Sequence, residues 1–347
     1  PLPPPILQSL SLPKNTKATL STANLGSGFT STGTIRALIP SPSNPDQEEE
    51  RRYFVKTSSN GTAAQEMFRG EYESLNAIAN AVPGFCPRGI AWGALDEGGK
   101  TFFLVTEFLE LGGGRAGKGK GERSLAHRLG KLHSTPASPD PSTGRRRFGF
   151  PVPTFCGDTR QGNTFHDSWA EFYAEERLMS VLGISEERNG RGDKELRGMV
   201  ERTARVVVPA LLGDGHLGGE AGVEPVVVHG DLWSGNADWG VIVGGSGSGD
   251  ADGDAGGGGD VVYDPSACYA HSEFELGIMR MFGGFGSGFF EEYHRVVPRT
   301  EPVGEYEDRV RLYELYHHLN HHAIFGAGYR SGAMAIMQKL IKKYGSG

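Results

Sequence analysis

The sequence predicts an α+β fold of two lobes, a β-rich N-terminal lobe and a mainly helical C-terminal lobe. Its 347 residues are enough for two such units. Between Thr16 and Phe108 the apolar residues form short runs typical of strands, and one long segment has helical spacing. Beyond residue 271 helical spacing dominates. The expected organisation is an N-terminal extension at 1–15, an N-lobe at 16–109, a flexible Gly-rich linker at 110–123, and a C-lobe at 124–347 with a Gly/Asp-rich insertion at 244–259.

A glycine-rich hairpin is predicted near the start of the N-lobe. It contains the run Gly26-Ser-Gly-Phe-Thr-Ser-Thr-Gly33. Glycines let backbone N–H groups approach phosphate oxygens without a Cβ in the way. Gly26 and Gly28 are therefore candidate phosphate-binding positions, although such turns are common in a chain with 53 glycines. The two predicted strands that flank the run lie around residues 17–23 and 34–39.

The next strand and helix carry an opposite-charge pair. Arg51-Arg-Tyr-Phe-Val-Lys56 reads as a strand, and a lysine at the inner end of an apolar strand needs a partner. The helical segment from Ala63 to Ala81 offers Glu71, which borders its inward face, because Met67 and Leu75 lie four residues to either side. Glu73 is the rival and is expected to be solvated. The alternative for Lys56 is a surface lysine that lays its stem over apolar neighbours.

A buried strand at Thr101–Phe108 ends the predicted N-lobe, and the linker follows it. A helix is expected at Ser124–His133, then a loop-rich stretch. Asp158 and Asn163 in that stretch are candidates for ordering a loop over a functional site, without an assigned role. The remaining helices are predicted at about 165–182, 193–212, 272–283, 286–295, 304–325 and 329–344.

The most informative motif follows the apolar run at 226–228. The sequence there is His229-Gly-Asp-Leu-Trp-Ser-Gly-Asn236. It has the H-x-D-x-x-x-x-N spacing of a kinase catalytic loop, in which the Asp receives the proton of the attacking hydroxyl and the Asn holds Mg²⁺. Asp231 and Asn236 are the corresponding residues. A tight turn after a buried strand is the alternative, and the Lys56 and Glu71 segments upstream weigh against it.

A second metal ligand is expected beyond this loop. Asp264 follows a predicted hairpin of 237–243 and 261–263, which brackets the insertion. The insertion has no apolar residue larger than Ala, so it cannot bury a core and is read as a floppy hairpin tip. Its aspartates resemble the start of a calcium loop, but the required glycine is missing and Val261 stands where the closing Glu should be.

These motifs and those of the C-terminal part give the chain a resemblance to the fructosamine kinase family, the ketosamine 3-kinases, from about Thr16 to Tyr344. The catalytic loop with its tryptophan and the Asp264-Pro pair distinguish it from ordinary protein kinases. The other segments that carry the resemblance are Met67-Phe-Arg-Gly-Glu71, Cys86-Pro-Arg, Asp264-Pro-Ser-Ala-Cys-Tyr-Ala-His271-Ser-Glu-Phe-Glu-Leu276, Phe282-Gly-Gly-Phe285, Phe289-Phe-Glu-Glu-Tyr-His294, Leu312-Tyr-Glu-Leu-Tyr-His-His-Leu-Asn-His321 and Phe325-Gly-Ala-Gly-Tyr329.

The resemblance implies a protein-kinase-like fold that uses ATP and Mg²⁺ to phosphorylate the 3-hydroxyl of sugars linked to amines as ketoamines. The product is unstable, so the amine is regenerated. By resemblance, Asp231 is the base, Asn236 and Asp264 hold Mg²⁺, and Lys56 with Glu71 seats the phosphates. The hinge residues Glu107, Phe108 and Leu109 would read adenine. The chain departs from the family in longer Gly-rich segments at 112–122 and 244–260, and in Gly277, where Ala is usual.

Three further residues are candidates for substrate contact. Trp233 could stack on the sugar, with packing as an equal alternative. His271 and Glu273 could meet substrate hydroxyls, with helix capping as the alternative. The histidines 317, 318, 321 and 322 have spacing compatible with zinc, but polar packing is preferred because a kinase needs no such site.

Composition limits the partners and the location. The net charge of −7 does not favour nucleic-acid binding, and the one basic cluster is Arg145–Arg147. No apolar segment approaches the length of a membrane span. Three cysteines without metal spacing favour a reducing compartment. We expect a cytoplasmic monomer that acts on glycated proteins or free ketosamines, with a trimmed leader left open because the first residue is not Met.

Two other functions stay open at this point. One is a small-molecule kinase of the aminoglycoside or choline type, and the other is a non-catalytic nucleotide-binding module. The sequence does not choose between ribulosamine and fructosamine, or between free and protein-bound substrate.

Overall fold

The computed structural model of the chain describes residues 2–13, 16–23, 30–41, 47–117, 119–190, 192–243 and 258–345. The chain divides into two compact units. The first unit comprises Pro1–Leu125 and Ala237–Asp264, and the second comprises Ala126–Asn236 and Pro265–Gly347. Within the described ranges no helix is both long enough and apolar enough to cross a bilayer. The lobe boundaries expected from the sequence stay predictions.

The first unit is built on an antiparallel sheet with two helices. Its elements are α1 (Pro4–Ser9), β1 (Lys17–Ala23), β2 (Ser31–Pro40), β3 (Glu48–Ser58), α2 (Gly61–Ala81), β4 (Gly89–Ala94), β5 (Phe102–Arg115), β9 (Ala237–Val243) and β10 (Gly259–Val262). The strand order is β1-β2-β3-β5-β9-β10, and β4 pairs with β5. The predicted hairpins are confirmed, since β1 pairs with β2 and β9 with β10.

Strand alternation divides the core of this sheet between its two faces. Successive side chains of a strand point to opposite faces. Val55 of β3 and Val105 of β5 pack with Ile6 of α1 on one face. Leu104 of β5 packs with α2 on the other face, and its partner across the strands is Lys56. The pleat therefore directs Lys56 towards α2.

The N-terminal segment contributes to this core, although residues 1–15 were predicted to be an extension outside the N-lobe. Pro4 begins α1 at a position where its missing N–H costs nothing. Ile6 of α1 is fully buried, and Leu2 and Leu10 belong to the same apolar cluster.

The second unit is mainly helical. Its helices are α3 (Leu125–Ser134, beginning at the unit boundary), α4 (Trp169–Phe172), α5 (Ser180–Asn189), α6 (Lys194–Arg202), α7 (Val208–Leu212), α8 (Glu275–Phe282), α9 (Ser287–Val296), α10 (Tyr306–Phe325) and α11 (Arg330–Tyr344). π-helical turns at Tyr173–Met179 and Thr203–Val207 join α4 to α5 and α6 to α7. The predicted α+β class and the predicted helices are confirmed.

Two small antiparallel pairs of strands complete the second unit. β6 (Thr154–Cys156) pairs with β7 (Thr159–Gln161), and β8 (Val226–Val228) pairs with β11 (Cys268–Ala270). All residues of β8 are buried, so the strand fixes the start of the catalytic-loop motif. The hairpin of β6 and β7 lies in the stretch that the sequence predicted to be loop-rich.

Candidate active site

One lysine joins two carboxylates in the first unit. Lys56 Nζ lies 2.7 Å from Glu71 Oε1 and 2.6 Å from Asp264 Oδ1. Glu71 reaches it from α2, because the pleat of β3 turns Lys56 to that face. The structure thus brings together three residues that are far apart in the sequence, and it pairs Lys56 with Glu71 as expected.

These two carboxylates keep Lys56 protonated. Burial alone would lower the pKa of the ammonium, but the negative charges of Glu71 and Asp264 raise it above its ordinary value. Lys56 is therefore a fixed cation suited to an anionic ligand. Asp264 has φ 55°, in the left-handed region that non-glycine residues rarely adopt, and its side chain is 54% exposed.

A pocket of about 490 Å³ opens around this lysine within the first unit. Its volume lies in the range of small-ligand sites. Its lining includes polar groups such as Lys56, Glu71 and Asp264, and apolar side chains such as Phe54 and Leu75. The predicted site residues that line it are Lys56, Glu71, Glu107, Phe108, Leu109 and Asp264.

The hinge residues line the pocket but have internal partners. The N–H of Glu107 donates to Arg88 O, and its carboxylate accepts the Arg88 N–H at 2.9 Å. Phe108 and Leu109 pair with Val243 and Ile242 of β9. Their contact with adenine stays a prediction, and the carboxylate of Glu107 has the structural role of holding the segment before β4.

The glycine-rich run is described only at its end. Gly26 and Gly28 lie outside the described residues. Gly33 lines the pocket, and a Cβ there would come within 2.8 Å of Ser21 O, so a side chain has no room.

The catalytic-loop motif lies in the second unit and is held by Glu275 of α8. This carboxylate is buried and accepts the backbone N–H groups of His229 and Gly230. Gly230 has φ 82°, and a Cβ there would meet Ser266 O at 2.1 Å, so only glycine fits. No local pattern in the sequence marks Glu275 as an anchor, and its one signal is its place in the family-like segment after Asp264.

Asp231 and Asn236 are in contact within this loop. Asn236 Nδ2 donates to the backbone O of Asp231 at 2.8 Å and lies 3.4 Å from its Oδ2. The amide nitrogen is thereby directed to Asp231, which leaves Asn236 Oδ1 as the atom suited to a hard cation such as Mg²⁺. The thiol of Cys156 lies 3.7 Å from Asp231 Oδ1.

Trp233 is 40% exposed beside this pair. Its ring lies 5.9 Å from that of Phe282, which is also partly exposed. A Cβ on Gly235 would come within 2.2 Å of the Trp233 ring, so the indole folds back over the loop. Trp233 therefore packs against the loop and Phe282 and also keeps part of its ring exposed.

His271 and Glu273 are buried in internal contacts. His271 lies 2.8 Å from both Tyr313 OH and Thr300 Oγ1. Glu273 forms a buried pair with Arg309 and accepts the N–H of Thr300. His271 makes no side-chain cap bond to the short helix after it. Their contact with substrate stays a prediction, and these partners favour a packing role.

The remaining candidates also have structural partners. Asp158 pairs with Arg188, and Asn163 Oδ1 accepts from the buried Arg177. Among the described residues no cluster of three or more His, Cys, Asp and Glu side chains is arranged to hold a metal, and the packing role of the α10 histidines stays a prediction. The cysteines 86, 156 and 268 are buried thiols.

The comparisons with known proteins bear on nearly the whole chain. The profile of the family described as fructosamine kinase matches residues 16–343. The ketosamine-3-kinase of Mus musculus is 33% identical over 307 residues, which cover 85% of this chain and 89% of that protein. The chloroplastic protein-ribulosamine 3-kinase of Arabidopsis thaliana is 32% identical over 304 residues, which cover 85% of this chain and 78% of that protein.

A solved structure supports the fold. A Thermobifida fusca protein that carries the fructosamine-3-kinase name superposes with a TM-score of 0.68 at 21% identity, over 99% of this chain and 100% of that one. At this identity the likeness establishes the architecture, a protein-kinase-like fold.

Proposed function

Since the chain belongs to the fructosamine kinase family, we propose that it is a ketosamine 3-kinase, which transfers the γ-phosphoryl group of ATP to the 3-hydroxyl of a ribulosamine or fructosamine adduct. The observation that carries the proposal is the contact of Lys56 with both Glu71 and Asp264. A partly buried cation fixed between a helix carboxylate and a half-exposed aspartate is the arrangement that phosphoryl transfer requires for phosphates and metal.

The nucleotide would occupy the pocket around Lys56. Its apolar lining, including Phe54 and Leu75, suits adenine, and the ammonium suits the phosphates. Asp264 and Asn236 would hold Mg²⁺, which takes oxygen ligands and is usually bound by one or two protein groups together with phosphates. When bound, this ion would neutralise charge that develops on the phosphoryl oxygens.

Asp231 would act as the general base. Its carboxylate follows the buried strand β8, and Glu275 fixes the backbone just before it. A carboxylate positioned in this way can accept the proton of the acceptor hydroxyl. The exposed face of Trp233, two residues further on, would stack on the sugar.

The biological role that follows is repair of glycated amines. Phosphorylation at the 3-position makes the ketosamine adduct unstable, so the free amine is regenerated. The substrates would be glycated proteins or free ketosamines. The cytoplasmic location, the monomeric state and the absence of nucleic-acid partners stay predictions.

Asp231→Asn tests the proposal in a screen of ribulosamine and fructosamine adducts on free lysine and on a glycated protein. The amide cannot accept a proton, so turnover should fall about 10²–10⁴-fold while ATP still binds. Asp214→Asn, an exposed aspartate of the same unit, is the matched control and should keep full activity. Turnover of a free amino alcohol without any turnover of ketosamines would contradict the proposal and favour an aminoglycoside- or choline-type kinase.

A further inference from the structure

A buried thiol lies against the proposed catalytic base. Cys156 Sγ is 3.7 Å from Asp231 Oδ1, within hydrogen-bonding reach for the larger sulfur atom, and only 1% of Cys156 is exposed. The two residues are 75 positions apart in the sequence. The proposed mechanism gives this thiol no role. Because a purely apolar side chain would fill the same space, packing alone does not require a thiol here.

Cys156 is held firmly in this place. It ends β6, where it pairs with Thr159 across the hairpin to β7. Gly157, with φ 64°, makes the turn between them. The backbone carbonyl of Cys156 accepts a hydrogen bond from Asn320 Nδ2 of α10 at 3.2 Å. The position of the sulfur is therefore set by a hairpin and a helix, independently of the catalytic loop.

The base of the hairpin is fixed by a second group of polar contacts. Gln161 Oε1 lies 3.0 Å from Thr154 Oγ1 and 2.5 Å from Ser266 Oγ, and Gln161 Nε2 donates to Tyr316 OH at 2.6 Å. A rigid support of this kind is what a side chain needs if it is to orient another.

We propose that Cys156 is a positioning residue for phosphoryl transfer, whose thiol donates a hydrogen bond to Asp231 Oδ1 and fixes the rotation of that carboxylate. The inference rests on the proposed role of Asp231 as base. Asn236 Nδ2 lies 3.4 Å from the other oxygen, Oδ2, so each of the two carboxylate oxygens has a donor beside it. With both contacts formed, the carboxylate of Asp231 cannot rotate freely. The lone pair that accepts the substrate proton then keeps a fixed orientation.

The thiol is suited to donate. Burial raises the pKa of Cys156 well above its ordinary value, and the negative charge of Asp231 acts in the same direction, so the sulfur keeps its proton. Because a protonated thiol is neutral, it can lie beside a carboxylate without the repulsion that a thiolate would cause.

The test compares Cys156→Val, which fills the space without a donor, with Cys156→Ser, which keeps one. We expect Cys156→Val to lower kcat about three- to tenfold, the effect of losing one ordinary hydrogen bond, since a thiol is a weak donor, with the KM of ATP and of the ketosamine unchanged. Cys156→Ser should recover most of the rate. Cys156→Ala serves as a second donor-free variant if Val folds poorly, and thermal unfolding is measured for each.

Cys268→Ala is the matched control, because Cys268 is an equally buried thiol of the same unit. It should leave kcat within about twofold of the parent protein, as expected when no reacting group is touched. A comparable loss of kcat in Cys268→Ala would overturn the positioning role.

A double-mutant cycle separates this role from packing. If Cys156 acts through Asp231, Cys156→Val should not slow the residual turnover of Asp231→Asn any further. An equal loss in both backgrounds, or full kcat in Cys156→Val alone, would overturn the inference. Near-normal turnover of Asp231→Asn alone would instead overturn the base role on which it rests.

Discussion

The carboxylate of Glu275 anchors the backbone of the catalytic loop, and Glu275→Gln tests that role. It accepts the backbone N–H groups of His229 and Gly230 from a position with no exposed surface. The amide keeps one oxygen, but its NH₂ group replaces the other acceptor and faces a backbone donor. If the NH₂ group replaces Oε2, the buried His229 N–H loses its acceptor and faces a donor. If it replaces Oε1, the Gly230 N–H faces a donor and keeps only its longer contact, 3.3 Å, with the remaining oxygen.

The magnitude follows from these contacts. A buried donor left without an acceptor costs about 1–3 kcal/mol, and the loss of a charged acceptor is at the upper end. We therefore expect the free energy of unfolding to fall by about 2–4 kcal/mol. For a domain of 150–250 residues each kcal/mol lowers Tm by about 2–4 °C, so Tm should fall by about 5–15 °C. The kcat should fall as well, because the anchored backbone leads directly into Asp231.

The effect should depend on pH. Burial by itself would raise the pKa of Glu275, but the hydrogen bond with the adjacent His133 imidazole, the neighbouring His229 imidazole and the N–H of Gly230 hold it below its ordinary value. A depressed pKa in the folded state means that the carboxylate stabilises the protein above the unfolded pKa of about 4.3, and that this stability is lost as the pH falls through the folded value. The difference in Tm between the parent and Glu275→Gln should thus be full near neutral pH and shrink below about pH 4.

Thermal unfolding followed by circular dichroism, at pH values from neutral to acid, measures this difference. The matched control is Glu291→Gln on the exposed surface of α9, which should change the free energy of unfolding by no more than about 0.5 kcal/mol. Equal Tm values for the two variants at neutral pH, or a difference that grows in acid, would refute the reasoning.

The remaining predictions concern the metal ligands and the insertion. Asp264→Ala and Asn236→Ala should each raise the Mg²⁺ concentration needed for half-maximal rate, because each offers an oxygen ligand to a hard cation; a loss of rate at unchanged Mg²⁺ dependence would assign a structural role instead. Deleting Gly245–Gly258 should leave kcat and the KM of ATP nearly unchanged, because the segment contains only Gly, Ser, Ala and Asp and joins the paired strands β9 and β10. Loss of ATP binding in a titration would show that the segment does more than connect them.

Local patterns were sufficient to predict the lysine pair. Alternation along β3 placed Lys56 on the same face as Phe54, and the four-residue spacing on α2 selected Glu71 over Glu73. The structure pairs Lys56 with Glu71 as these periodicities require. The order of the strands β1 to β3 and the positions of most helices were predictable for the same reason, since each depends on contacts between neighbours in the sequence.

Contacts between distant segments were not predictable in this way. Glu275 holds a backbone 45 residues earlier, and Cys156 meets a carboxylate 75 residues later. In the sequence each looks ordinary: one is an acidic residue at the start of a helix, and the other is a small hydrophobe. What gives them a role is the packing of α8 and of the β6–β7 hairpin around the catalytic loop, which no periodicity encodes.

Asp260 shows why composition can also mislead. In the sequence it continues the aspartates of the Gly/Asp-rich insertion and looks like a solvated spacer. In the structure it has no exposed surface. Its Oδ1 accepts the N–H of Gly117 and its Oδ2 that of Leu125, each at 2.9 Å, so one carboxylate fixes the segment between β5 and α3 at two points. A charged side chain is buried only where its lone pairs are satisfied, and here backbone donors 135 and 143 residues away satisfy them. These hydrogen bonds therefore set the boundary of the proposed deletion at Gly258. The deleted residues have the composition of a linker, whereas Asp260 beyond them is part of the folded core.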